Sequence, residues 1–172
     1  MDAGSLVGES APTVASFEAF VHATAGAMHR TAVLLCGDHH LAEDLTQATY
    51  AKVFASWRRV AAANEPAAYT RQVLVRTFLS HRRLRRSSER PTDVLPESPG
   101  QSEDASLRLD LLAALQALGP DDRAVLVLRF WEDLSVADTA QLTGTSAAAC
   151  RQRTARALAR IRVLMPDLEE DR

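Results

Sequence analysis

Apolar residues recur every three or four positions through most of the chain, which is the spacing of amphipathic helices. Phe17, Val21 and Met28 share one face of a first predicted helix, and Gly37 ends it. Asp38 is suited to cap a second helix, because its side-chain oxygen can accept from a free backbone N–H of the first turn. The residues of that second helix that are predicted to be buried are Leu41, Leu45, Ala48, Val53, Phe54 and Trp57.

The middle of the chain predicts the domain boundaries. A third helix is predicted from about Ala67 to Arg86, with Pro66 at its start, where a missing N–H does no harm. The following segment, 87–105, holds three prolines and no periodicity, which is typical of a flexible linker. We therefore expect five parts: a loose tail at 1–13, a first bundle at 14–86, an acidic linker at 87–105, a second bundle at 106–166 and an acidic tail at 167–172.

The second predicted bundle begins with leucines at helical spacing, which are Leu107, Leu111, Leu115 and Leu118. Asp121 or Asp122 is predicted to cap the next helix. Three residues of that helix are predicted to turn inward, namely Val125, Leu128 and Trp131. Because no segment shows the alternating β-branched pattern of a strand, the predicted fold class is all-α, with two small helical bundles.

The last third of the chain has the spacing of a helix-turn-helix. Ser135 is predicted to cap a short helix, and Ser146 is predicted to cap a longer last one. Ala140 is small enough for a close helix crossing, Gly144 allows a positive φ at the turn, and Cys150 is a modest apolar residue for packing. Ordinary helical hairpins share this spacing, so the pattern alone leaves both interpretations open.

The last predicted helix separates an apolar face from a basic one. Its inner face holds Cys150, Thr154, Ala157, Leu158, Ile161 and Met165. Its outer face holds Gln152, Ala155, Arg156 and Ala159, with further arginines beside them. The segment 151–162 contains five arginines and no acidic residue, whereas a merely solvated helix usually mixes both charges. Such a face is suited to enter a DNA major groove while its arginines contact phosphates.

Charge lies in opposed blocks that the formal net charge of −2 conceals. The stretch 71–90 has seven arginines and one glutamate, whereas 91–122 has seven acidic residues and one arginine. A second basic helix therefore joins the last helix as a candidate nucleic-acid surface. Its Tyr69, Phe78 and His81 lie among the arginines and can stack on unpaired bases, or the two aromatic residues belong to the core.

No set of residues predicts catalysis or a bound metal. Cys36, His39 and His40 are close in sequence, but a structural zinc site needs four ligands at suitable spacing. Cys36 and Cys150 show no paired spacing, and no apolar run approaches the roughly 20 residues that span a bilayer. We therefore expect a cytoplasmic protein that is not an enzyme, has no cofactor and does not insert into a membrane.

Several segments together resemble the bacterial RNA polymerase sigma factors of the extracytoplasmic-function (ECF) type, which keep two domains called region 2 and region 4. The segments are 42–50 (AEDLTQATY) with the Lys52, Val53, Phe54 and Trp57 that follow, 66–83, 115–135 and 156–162. They stand in the family's order, and the resemblance extends from about Phe17 to Met165. The alanine- and arginine-rich composition is similar to that of actinobacterial, sigma-E-like members.

The resemblance implies a role for each segment. The second helix would bind the clamp helices of the polymerase β′ subunit through Asp44, Gln47 and Thr49. The third helix would contact the promoter −10 element through Arg71, Arg76, Thr77, Ser80, Arg82 and Arg83. The last helix would contact the −35 element through Arg151, Gln152, Arg153, Ala155 and Arg156.

The function that the resemblance implies is that of an alternative sigma factor. Such a protein binds core RNA polymerase, including its β subunit, as a monomer, directs initiation at specific promoters and aids strand opening. An anti-sigma factor is a further implied partner. Two alternatives remain open at the level of the residues: a helix-turn-helix regulator that acts without polymerase docking, and an adaptor whose helices bind only proteins.

Overall fold

A computed structural model describes residues 13–86 and 103–166, with side chains for 13–82 and 106–166. The first range contains α1 (Val14–Cys36), α2 (His39–Ala55), α3 (Trp57–Ala61) and α4 (Pro66–Arg86). The second contains α5 (Glu103–Gln116), α6 (Pro120–Leu126), a π-helical turn (Val127–Trp131), α7 (Val136–Thr143) and α8 (Ala147–Leu164). Every regular element in these ranges is helical, so the predicted all-α class is confirmed. Nearly all of the predicted tails and linker lies outside the described residues.

Local caps set the boundary between α1 and α2. Thr13 and Ser16 form a capping box, so α1 begins slightly earlier than the apolar periodicity predicts. Gly37 ends α1 with a φ of 74°, in the left-handed region that strains an L side chain. The side chain of Asp38 accepts a hydrogen bond from the backbone N–H of Leu41 at 3.0 Å, which confirms the predicted cap.

The second predicted helix is in fact two helices. α2 ends at Ala55, and Ser56 adopts a φ of −121° and a ψ of 22°, which breaks the helix before Trp57. Ser56 Oγ donates to the carbonyl oxygen of Lys52 at 3.2 Å, a local bond that competes with helix continuation. Trp57 is buried as predicted, but the predicted burial of Phe54 is wrong, since Phe54 is 48% exposed. Because the chain turns at Ser56, these two residues no longer share a helical face.

The helix-turn-helix of the second bundle forms as predicted. Ser135 and Ser146 cap α7 and α8, and each accepts a hydrogen bond from the backbone N–H three residues later, at 3.0 and 3.1 Å. Gly144 has a φ of 68°, so the turn uses the left-handed conformation. The small core between the helices consists of Val125, Ala140 and Cys150, with Val136 against it.

The start of α6 differs from its prediction. Gly119 is the N-terminal cap and Pro120 occupies the first turn, while Asp121 and Asp122 lie inside the helix. Carboxylates in the first turn still favour the helix, because they interact with its positive end. The predicted capping role of these two aspartates is therefore wrong, and their side chains are available for other partners.

The π-helical turn reorients the end of the α6 segment. Val125 and Leu128 are fully buried as predicted, but Trp131 is 54% exposed and its predicted inward orientation is wrong. A π-helical turn forms i to i+5 hydrogen bonds, so each residue rotates less about the helix axis than the roughly 100° of an α-helix. A wheel drawn at α-helical spacing therefore misplaces Trp131.

The two bundles share one hydrophobic core. The cluster includes Met28, Leu35, Leu74 and Phe78 of the first bundle together with Ala124, Val127 and Leu128 of the second. Leu134 and Leu142 of the second bundle pack against the same cluster. The sequence pattern did not predict this contact, because periodicity identifies an apolar face without identifying what covers it. We call this arrangement, with the bundles in contact, the closed form.

Candidate nucleic-acid interface

Helix α8 has one buried face and one exposed face, as predicted. Cys150, Ala157, Ile161 and Met165 are buried. Arg151, Gln152, Ala155 and Arg156 are exposed, and Arg153 is half-buried. The small side chain of Ala155 lies between polar neighbours that can contact base edges, so this face forms a narrow ridge of the kind that enters a major groove.

Helix α4 carries the residues predicted to contact −10 DNA. Arg76 and Ser80 are exposed, whereas Thr77 is buried and its hydroxyl donates to a backbone carbonyl oxygen of its own helix at 2.8 Å. Lys52 Nζ donates to the Thr77 hydroxyl at 2.9 Å. Thr77 therefore lies off the exposed face, because adjacent helical residues point about 100° apart. The side chain of Arg83 lies outside the described residues.

The aromatic residues of α4 belong to the core. Phe78 is only 5% exposed, and half-buried Tyr69 packs against the cluster of Val53, Trp57 and Val60. The Tyr69 hydroxyl accepts a hydrogen bond from Arg59 Nη2 at 3.3 Å. Of the two interpretations given for these rings, packing in the core is confirmed for Phe78, and Tyr69 packs partly against the core.

Helix α2 exposes two of the three residues predicted to bind polymerase. Asp44 and Gln47 are both exposed, and their i, i+3 spacing places them on one face. Thr49 is fully buried, and its hydroxyl donates to the carbonyl oxygen of Leu45 at 2.7 Å. It cannot share the face of Asp44, because five helical residues correspond to a rotation of about 140°. The predicted contact of Thr49 with a partner is therefore not supported by its position.

One carboxylate, that of Asp121 near the start of α6, joins the two candidate DNA surfaces. Its Oδ1 forms an ion pair with Arg82 of α4, and its Oδ2 lies 3.4 Å from Arg153 Nη1 of α8. Burial by itself would raise the pKa of Asp121, but hydrogen bonds and charge from the two arginines outweigh it and hold the pKa below its usual value. The carboxylate is therefore charged at neutral pH.

A second carboxylate, that of Glu132, also joins the bundles. It forms an ion pair with Arg71 Nε of α4 and accepts a hydrogen bond from the Thr31 hydroxyl of α1. Trp131 Nε1 donates to the same hydroxyl at 3.2 Å. The Glu132 side chain is only 7% exposed, so Arg71 compensates a charge that would otherwise be costly to bury.

Asp122 makes a separate contact within the second bundle. Its carboxylate accepts from Arg156 Nε at 3.4 Å and from Arg156 Nη2 at 3.1 Å. Hydrogen bonding to Asp122 raises the pKa of Arg156, and the Arg156 side chain remains 61% exposed. This forked contact orients a charged guanidinium that DNA can still reach.

Arg123 is a buried arginine that sequence reasoning missed. It is 8% exposed, and its guanidinium donates to the carbonyl oxygen of Leu35 at 3.0 Å and to that of Leu118 at 3.2 Å. The side chain and backbone of Gln116 also accept from it. Burial lowers the pKa of Arg123. The sequence did contain an indication that Arg123 is buried, because Arg123 stands four residues before Val127 on an apolar helical face.

Of the residues considered for zinc, Cys36 has another partner. Cys36 Sγ donates to the carbonyl oxygen of Asp38 at 3.2 Å, and burial raises the pKa of this thiol. Across 13–86 and 103–166, no three His, Cys, Asp or Glu side chains are grouped so as to hold a metal ion. Within the same ranges, each helix is too short or too polar to cross a membrane.

Comparisons with known proteins match both bundles. Residues 14–88 match the family model for Sigma-70 region 2, and residues 108–161 match that for Sigma-70, region 4. The chain is 36% identical over 151 residues to the RNA polymerase sigma-E factor of Streptomyces coelicolor, covering 87% of this chain and 85% of that protein. It is 34% identical over 147 residues to the RNA polymerase sigma factor CarQ of Myxococcus xanthus, covering 75% and 77%.

A solved structure shares the fold. The sigma factor RpoE from Bartonella quintana, in complex with the anti-sigma factor NepR, aligns with a TM-score of 0.68 and 25% identity, covering 92% of this chain and 100% of that one. A regulator that acts without polymerase is not favoured, because the region 2 match accounts for the first bundle as well. The chain belongs to the RNA polymerase sigma factors of the ECF type, and it is an alternative sigma factor that directs transcription initiation.

Proposed function

We propose that this sigma factor docks on core RNA polymerase through α2, contacts the −10 element through α4 and reads the −35 element through α8. The observation that carries this proposal is the outer face of α8. It combines an exposed ridge with arginines on both sides, and no acidic residue lies within the helix. Negative DNA is attracted to such a face, and its polar side chains are placed to discriminate bases.

At the −35 element, Gln152 and Arg156 contact base edges, whereas Arg151 and Arg153 contact phosphates. Gln152 and Arg156 are four residues apart and therefore stand one above the other on the same helical face. Asp122 accepts hydrogen bonds from two nitrogens of the Arg156 guanidinium, which limits the directions in which that group can point. Ala155 permits close approach of the helix to the groove floor.

At the −10 element, the contacts come from the basic side of α4. Arg76 and Ser80 are exposed at i, i+4 spacing and form the accessible part of that surface. Arg71 and Arg82 join them once they are released from the second bundle, and Arg83 follows Arg82 in the sequence. Cations along one helix can follow a DNA backbone during strand opening.

Docking uses the exposed pair Asp44 and Gln47 on α2, which meets the clamp helices of the polymerase β′ subunit. The β subunit provides further contacts, and the sigma factor acts as a monomer within the holoenzyme. The chain carries no catalytic function of its own and works in the cytoplasm, where the polymerase is. An anti-sigma factor is a further partner, since the similar sigma factor of Bartonella quintana was solved with one.

The proposal is tested by reconstitution. The purified chain is mixed with core RNA polymerase, and transcripts made from genomic DNA are sequenced. We expect transcripts that begin at a set of positions sharing two upstream elements and that are absent with core polymerase alone. A Gln152→Ala, Arg156→Ala variant should lose selectivity for the upstream element, whereas Arg30→Ala, an exposed arginine on α1, should not. If the free chain bound these promoters as selectively as the holoenzyme does, docking would be contradicted.

A further inference from the structure

One arginine on the outer face of α8 is held by a carboxylate of the same bundle. Arg156 donates from Nε to Asp122 Oδ2 at 3.4 Å and from Nη2 to Asp122 Oδ1 at 3.1 Å. Asp122 lies in the first turn of α6, and its side chain is 22% exposed, whereas that of Arg156 is 61% exposed. Both residues belong to the second bundle, so this pair does not depend on the contact between the bundles.

The pair occupies one edge of the guanidinium and leaves another edge free. An arginine has five N–H donors in a rigid planar group. Asp122 takes the Nε–H and one N–H of Nη2, which form the side edge of Arg156. The parallel N–H groups of Nη1 and Nη2 form the end edge, which stays available for a partner with two acceptors. Because a planar group held at two atoms cannot rotate freely, Asp122 determines where this end edge points.

The chemistry of the free edge favours guanine among the four bases. In the major groove guanine presents two acceptors, O6 and N7, which a bidentate guanidinium matches. Adenine presents an amino donor beside N7, cytosine presents an amino donor, and thymine presents one acceptor beside a methyl group. Two donors that face each other do not form a hydrogen bond. The end edge of Arg156 therefore fits a guanine when α8 lies in the groove of the −35 element.

The charge of Asp122 also weakens the competing contact with a phosphate. A phosphate attracts an arginine mainly through charge, and a neighbouring carboxylate both offsets the charge of the guanidinium and repels the phosphate. A guanine edge carries no net charge and is affected less. Arg151 and Arg160 are also exposed on α8, and no carboxylate of the described residues forms an ion pair with either. These two arginines are suited to phosphates, whereas Arg156 is suited to a base.

We propose that Asp122 is a positioning residue for −35 recognition, which holds Arg156 so that its end edge meets a guanine and turns away from phosphates. This inference rests on the proposed function, in which Arg156 contacts base edges of the −35 element. Asp122 is free to do this because Gly119, and not an aspartate, caps the helix. Since Asp122 acts through the guanidinium of Arg156, it contributes to selectivity more than to affinity.

The experiment uses the reconstituted holoenzyme with Asp122→Asn, which removes the charge and keeps the shape of the side chain. Labelled promoter fragments carry either the preferred −35 sequence or one in which the guanine–cytosine pair most affected by Arg156→Ala is replaced by adenine–thymine. Binding is measured by fluorescence anisotropy at one salt concentration, and a random-sequence duplex reports the non-specific affinity. We expect the preference for guanine to fall about three- to tenfold, which is part of what one bidentate contact contributes. Affinity for the random duplex should not fall.

Three comparisons separate positioning of Arg156 from a general change of charge. Asp110→Asn removes an exposed carboxylate on α5 and changes the net charge equally, so it should leave the preference for guanine unchanged. In an Arg156→Ala background, Asp122→Asn should have no further effect on that preference, because the side chain that it positions is absent. Asp122→Glu keeps a carboxylate near the guanidinium and should retain most of the preference.

The outcomes separate a positioning role of Asp122 from a structural one. An unchanged preference for guanine in Asp122→Asn would overturn the positioning role, and so would an equal loss of binding to all three DNA molecules. The absence of guanine from the base pairs that Arg156→Ala affects would overturn it as well. If Asp122→Asn loses helical circular dichroism, Asp122→Ser decides the matter, because serine favours the start of a helix and carries no charge. If Arg156→Ala itself leaves −35 selectivity intact, the proposed function of Arg156 is refuted, and the positioning role with it.

Discussion

The guanidinium of Arg123 in α6 donates a hydrogen bond to the carbonyl oxygen of Leu35 at 3.0 Å, linking the second bundle to the last turn of α1. The last four carbonyl groups of a helix have no partner within the helix, so a donor from another element completes this end. A cation also interacts favourably with the negative end of the helix dipole. Arg123 thus joins the two bundles through a backbone carbonyl group, which would be present with any residue at position 35.

Replacing Arg123 with Met should lower the free energy of unfolding by about 2 to 4 kcal/mol, because several buried carbonyl groups lose their donor. Arg123→Lys should recover little of this, since one ammonium cannot reproduce a planar fork that reaches Leu35, Gln116 and Leu118. Urea unfolding followed by circular dichroism measures the effect. Arg151→Met on exposed α8 is the control, and an equal loss there would show that burial of Arg123 is unimportant.

The pairing of Asp121 should make stability depend on pH in the acid range. Its pKa is held below the usual value, so its contribution is present above the ordinary aspartate pKa of about 3.9 and is lost as pH falls through the lower folded value. The difference in unfolding free energy between wild type and Asp121→Asn should therefore shrink as the pH is lowered through this range. The control is Asp110→Asn, which removes one exposed carboxylate at another position. A difference that does not change with pH would contradict the pairing.

Gly144 and Gly119 form a matched pair for testing the turn of the helix-turn-helix. A Cβ at either position meets no atom within 4 Å, but only Gly144 has a positive φ. Gly144→Ala should therefore destabilise the protein by about 1 to 2 kcal/mol through backbone strain alone, and Gly144→Asn by less. Gly119→Ala should cost less than Gly144→Ala, because the φ of −59° at Gly119 suits alanine and only the preference for glycine at a helix N-cap is lost. Thermal unfolding measures all three, and equal effects at the two glycines would refute the role of φ.

The outer face of α8 predicts how promoter selectivity should change. Within the holoenzyme, Gln152→Ala or Arg156→Ala should weaken discrimination at the −35 element by about 1 to 3 kcal/mol for each lost base contact. Binding is compared on the preferred −35 sequence and on a scrambled one. An equal loss on both sequences would assign these side chains to phosphates instead of bases.

The exposed face of α2 predicts that binding to core polymerase can be impaired without unfolding the protein. Asp44→Arg combined with Gln47→Ala should reduce capture of the full-length protein by immobilised core RNA polymerase, because charge and shape change on the docking face. Helix content should stay unchanged, since both side chains are exposed. Glu18→Arg on α1 serves as the surface control. Normal holoenzyme assembly by the double variant would remove this assignment.

The local structure of the chain could be predicted because it depends on neighbouring residues. Asp38, Ser135 and Ser146 cap helices as expected, since a cap needs only a side-chain oxygen and an N–H three residues away. The left-handed turn at Gly144 and the two faces of α8 follow from the same local rules. The misplacement of Trp131 is instructive, because a π-helical turn is an irregularity that a fixed period does not detect.

The candidate site was predicted less completely than the fold. The resemblance identified the helices that carry it, but Thr49 and Thr77 are buried because their positions on α2 and α4 turn them toward neighbouring helices. Arg123 was missed because an arginine in an apolar run looks like an exposed charge until its acceptors are known. Gln116 and Leu118 are close to Arg123 in the sequence, but the carbonyl group of Leu35 comes from a distant segment, and no pattern within a short window reveals it.

By itself, the sequence determined the all-helical class, most of the caps, the two bundles and the family, because periodicity, capping and ordered motifs are properties of nearby residues. Only the tertiary structure decided how the opposed charge blocks are used. Asp121 and Arg82 belong to different blocks along the chain, yet they form one ion pair in the closed form. Pairing across bundles depends on which apolar faces meet, and that choice is made by the packing of the whole chain.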